Sequence, residues 1–171
     1  MDRTKTGLRR LTTVSFLAAA LLPSPAAALE IHDYQPERHD RFEAGTFPAT
    51  PVANNDSWAV DFDFSGVGWS ADDPRKGFAL VSPSHFVGAR HFRPALDSEI
   101  AFMSQDGELR SYTYVRFHTI KNDDGENTDL FIGELSEDIP ASHNIAYYTV
   151  LDKPESELTG SELIVYGRGN D

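Results

Sequence analysis

From Trp58 onward the chain alternates short apolar runs with turn-forming residues, a rhythm that predicts strands and no helix. Trp58, Val60, Phe62 and Phe64 alternate with Ala59, Asp61 and Asp63, the period of two expected of a strand with one wet face. Ser65-Gly66-Val67-Gly68-Trp69 then reads as a turn. Two apolar runs, from Phe78 to Val81 and from Phe86 to Ala89, flank a Ser82-Pro83-Ser84 break and predict two strands joined by a tight connection. The second strand delivers His91 at its end, where Pro94 forbids a long continuation. Residues 99–104 and 108–120 around Asp106-Gly107 predict a hairpin, with Tyr112 and Tyr114 set against Thr113, Val115 and Phe117. A polar turn over residues 122–127 leads into a strand over 130–135. The spacing of its acidic residues does not meet that of a calcium loop. Residues 144–151 and 162–166 repeat the strand pattern around a turn region at 154–160. Many short strands at regular spacing imply an all-β barrel or sandwich.

The ends of the chain read differently. Arg3, Lys5, Arg9 and Arg10 precede an apolar stretch from Leu11 to Leu22, then Pro23-Ser24-Pro25 and Ala26-Ala27-Ala28, the layout of an export signal cleaved after Ala28. The apolar stretch is short of the roughly 20 residues that span a bilayer, so no membrane attachment is expected after cleavage. Residues 29–56 are polar and proline-bearing and read as a linker or arm. Its His32-Asp33 and His39-Asp40 pairs read as solvated, not as a metal site. That leaves residues 57–171 as the folded β-domain. The chain of 171 residues carries a net charge of −12, more negative once the basic signal is removed, which argues against a nucleic-acid partner. It has no cysteine, so an exported domain must hold together without disulfides.

Three segments, in order, resemble the trypsin-like (chymotrypsin-fold) serine peptidases. Gly77-Phe78-Ala79-Leu80-Val81-Ser82, followed by Phe86-Val87-Gly88-Ala89-Arg90-His91-Phe92, is similar to the family's histidine segment. Arg90 stands where the family has a small residue, and Phe92 and Lys76 stand where it has a cysteine pair. Asn127-Thr128-Asp129-Leu130-Phe131-Ile132-Gly133 resembles the segment that supplies the triad aspartate. Leu163-Ile164-Val165-Tyr166-Gly167-Arg168-Gly169 resembles the strand that opens the family's second barrel. The resemblance implies the first β-barrel of a double barrel, with His91 as general base and Asp129 as its orienter. It also implies a protein or peptide substrate and no cofactor or metal. The family's serine lies in a Gly-Asp-Ser-Gly-Gly loop, and none of Ser136, Ser142, Ser156 and Ser161 has that setting, so the chain reads as cut short before the serine-bearing half. Localisation would be periplasmic or secreted.

Without the resemblance, a lone histidine at a strand end and an aspartate beside Asn127 and Thr128, which suits a turn cap, fit structural roles better than catalytic ones. A second reading is therefore a non-catalytic exported β-domain, or an inactive peptidase homologue, that binds a protein or glycan through Trp58, Trp69, Tyr112 and Tyr114. Oligomeric state and primary specificity are not encoded in any legible feature.

Overall fold

A computed structural model describes residues 32–162 and residue 164; the expected signal segment lies outside them, as does most of the strand expected over 162–166. Among the described residues the chain is mostly β, with one single-turn helix, Pro36–His39, and three shorter helical turns. Six antiparallel strands, β1 (Val67–Ser70), β2 (Gly77–Leu80), β3 (His85–Ala89), β4 (Glu99–Met103), β5 (Leu109–Lys121) and β6 (Asn127–Leu135), close into a barrel in the order β1-β2-β3-β6-β5-β4. Closure is made by β1 against β4, where Trp69 pairs with Ala101 and Ser70 with Ile100. Closing the sheet gives every short strand two neighbours, so segments of four or five residues suffice.

Alternation along each strand sends one face inward, and that face is largely aromatic. Phe78, Phe86, Phe102, Tyr114 and Phe131 are essentially inaccessible, with Leu80 and Ile100 beside them. Phe86 sits at the centre, its ring centroid 4.9 Å from Phe78, 5.4 Å from Tyr114 and 5.8 Å from Phe131, mostly in edge-on or tilted arrangements that suit aromatic quadrupoles. Such a ring needs room, and its cross-strand partner is Gly133. A β-carbon at Gly133 would lie 2.3 Å from the Phe86 ring, so glycine there is what lets the ring lie flat against the β6 backbone.

Tyr114 adds a polar atom to this core. Its hydroxyl is buried with no hydrogen-bond partner among the described residues, and desolvation, opposed by the Arg93 charge, pushes its pKa up to about 12. A buried, unpaired hydroxyl is a net cost. Tyr114→Phe is therefore expected to raise stability, by up to about 1 kcal/mol. The check is the urea midpoint at unchanged slope; a fall in the midpoint would show that the hydroxyl has a partner it depends on.

Three expected features differ from the structure. The Trp58–Phe64 stretch is a chain of turns, not a strand: Val60 N–H donates to Ser57 O and Phe62 N–H to Ala59 O, and Trp58, Val60 and Phe62 remain about half exposed. Val67–Ser70, its first three residues expected in a turn over residues 65–69, is the first barrel strand. Residues 144–151 form no ladder and cross the barrel as an irregular strap, Ala146 N–H donating to Ser65 Oγ at 2.9 Å and Tyr148 N–H to Leu80 O at 2.8 Å. The segment before the barrel carries its own packing. Phe42 and Phe47 stack on each other and meet Trp69 edge-on, at 5.7 and 4.9 Å, while Arg41 Nη1 donates to Val67 O at 2.8 Å.

Candidate functional site

The register of β3 on β6 builds the site. These strands pair from His85 with Glu134 to Ala89 with Leu130, so the residues just past the last pair, Arg90 and Asp129, come out side by side at one end of the barrel. β3 stops at Ala89 and the chain enters one tight helical turn, Arg90–Phe92. His91 therefore sits in that turn and not on the strand itself. Because strand faces alternate, a slip of one residue between β3 and β6 would send Asp129 to the opposite face. The buried anchors Phe86 and Phe131 oppose such a slip.

His91 and Asp129, 38 positions apart, meet through two hydrogen bonds. The His91 backbone N–H donates to Asp129 Oδ1 at 3.1 Å, and the ring contact Nδ1–Oδ2 is 2.5 Å. A carboxylate only accepts, so Nδ1 carries the proton, and the neutral ring keeps its lone pair on Nε2. Nε2 has no hydrogen-bond partner among the described residues. Both side chains are open to water, 59% and 57% exposed. Desolvation acts to raise the Asp129 pKa, but the hydrogen bonds from His91, aided by the His91 and Arg90 charges, outweigh it and hold the carboxyl below its ordinary value. The arrangement is a fixed, solvent-accessible imidazole whose outer nitrogen can accept a proton and whose inner nitrogen is held by a carboxylate.

Four of the other five histidines have different partners. His85 Nδ1 lies 2.9 Å from Ser82 Oγ, and His143 Nδ1 2.5 Å from the Tyr112 hydroxyl. His39 Nδ1 lies 3.0 Å from the backbone of Gln35, and His32 Nδ1 3.0 Å from Oδ2 of its neighbour Asp33. No three metal-ligating side chains come together among the described residues. A groove of about 390 Å³ lies across β3, β6 and β5, lined by His85, Arg116, Phe117, His118, Ile132 and Glu134. Neither His91 nor Asp129 is among its walls, and the paired side chains mark the site more strongly than this open depression does. Neither the His143–Tyr112 bond nor this groove is legible in the sequence. Both depend on which strands become neighbours, which no local spacing encodes.

Of the four aromatic residues that could have formed a binding face, Trp69, Tyr112 and Tyr114 are buried and only Trp58 is exposed. An open cluster of those rings therefore does not exist.

No protein-family model matches this chain, and a search of curated proteins finds no match to it either.

Proposed function

We propose that this chain is the histidine- and aspartate-bearing barrel of an exported, cysteine-free, trypsin-like serine endopeptidase. On this reading the serine and its oxyanion hole belong to a second barrel. The observation that carries the proposal is the His91–Asp129 pair, joined at 2.5 Å across 38 positions with Nε2 left open. In such a peptidase a serine hydroxyl attacks the peptide carbonyl while Nε2 takes its proton. The imidazolium then hands that proton to the departing amine, and the Asp129 carboxylate holds the tautomer and steadies the transient charge. Oxyanion stabilisation must come from other residues, since both partners of this pair are a base and its orienter. The basic-then-apolar layout of residues 1–28 supports export to the periplasm or medium.

The test is a fluorophosphonate probe, which bonds covalently to an activated serine, applied to the whole natural gene product. Labelling is expected, and His91→Ala should reduce its rate by about 10²-fold or more. A gene product that does not label, or that labels equally well without His91, overturns the peptidase reading. The first of those outcomes would leave an inactive homologue that keeps the pair.

A further inference from the structure

We infer that Phe92 is a positioning residue for the His91 imidazole, occupying one side of the ring and holding it in the orientation that reaches Asp129. Residues 90–92 form a single turn with about three residues per revolution, so successive side chains leave the backbone about 120° apart. Neighbours in such a turn do not meet by default. The rings of His91 and Phe92 nevertheless lie with centroids 4.4 Å apart at 46°. Phe92 has no other ring contact among the described residues and is 46% exposed, so burial in the core does not explain where its ring lies.

The imidazole needs such a neighbour. It and Asp129 are both more than half exposed, and hydrogen-bonded pairs in that setting are weakly populated because water and alternative rotamers compete. Among the described residues the other support of the pair is polar: the His91 backbone N–H on Oδ1, and the charge of Arg90 acting on Asp129. An aromatic ring as close as that of Phe92 excludes water from one side of the imidazole and removes rotamers that swing it away. Ring contacts of this kind shift such a population by about two- to tenfold.

The contact goes beyond the reading of His91 as a base and is tested without any turnover. Nitrogen-15 resonances of the His91 ring, recorded on the folded chain at alkaline pH, report the ratio of the Nδ1–H to the Nε2–H tautomer. Phe92→Ala is expected to lower that ratio about two- to tenfold while leaving the thermal midpoint close to that of the parent, and Phe92→Tyr is expected to restore the ratio. A purely structural role would move the midpoint and not the tautomer. If the alanine variant does not fold, Phe92→Gln, which keeps side-chain length and removes both the ring and its apolar bulk, carries the same measurement. An unchanged ratio in the alanine or glutamine variant overturns the role of Phe92 alone. A parent protein in which the Nε2–H form already dominates overturns the His91–Asp129 geometry as well.

Discussion

Phe86→Ala is expected to remove about 3–5 kcal/mol of stability, a large share of the roughly 5–15 kcal/mol that holds a domain folded. The side chain has no solvent exposure and contacts rings from β2, β5 and β6 at once. Its loss therefore leaves a cavity that three strands would have to close together. Relaxation is resisted on the β6 side, where Gly133 offers only backbone beneath the ring and no side chain that could swing into the space. The local geometry places this substitution at the costly end of the range for buried aromatics, because such costs grow with the cavity that remains. Urea denaturation of parent and variant gives the difference directly. A loss below about 1 kcal/mol would mean that the barrel can collapse onto the vacated space, and that the aromatic cluster is not its stabilising centre. The His91–Asp129 contact should weaken with it, since Phe86 and Phe131 fix the register that brings those residues together.

How much of this was legible beforehand differs from strand to strand, for physical reasons. Strands β2 to β6 fall within a few residues of their expected limits, because each is a short apolar or alternating run bounded by Gly, Pro, Asp or Ser. β1 was hidden by Gly66 and Gly68, which look like turn residues. Gly68 is in fact a strand residue whose missing side chain makes room for the Phe102 ring; a β-carbon there would sit 2.4 Å from it. The error at Trp58–Phe64 runs the other way. Its period of two is real, but a strand needs a partner edge, and a barrel closed by β1 on β4 has none to offer. The strap at 144–151 fails for the same reason and satisfies its backbone piecemeal. The pair itself was legible only through the ordered likeness of two segments to a known family. Spacing alone says nothing about 38 intervening positions folding back on themselves. The position of Phe92 against the imidazole was not legible at all, since adjacent residues in a turn ordinarily diverge.

Asp129→Asn is the substitution expected to act most strongly on function while changing the fold least. On the peptidase reading it lowers kcat of the natural gene product by about 10²–10⁴-fold, the scale of general acid–base catalysis. An amide can present its NH₂ to the ring as readily as its oxygen, so it no longer dictates which nitrogen carries the proton, and it supplies no charge to balance an imidazolium. Asp129 is open to water and belongs to no buried cluster, so the variant should fold. The same substitution has a signature in stability against pH that needs no substrate. The folded-state pKa of Asp129 is lowered, so its pairing contributes stability that is fully present above the unfolded-chain value of about 3.9 and is lost as pH falls through the lower folded-state value. Parent and Asp129→Asn curves should accordingly be separated at neutral pH and converge as the solution is acidified below about pH 4. Curves that run parallel through that range would show that the carboxylate is not held by His91 in solution. Convergence together with an unimpaired kcat would instead show that the pair is formed and does no catalytic work.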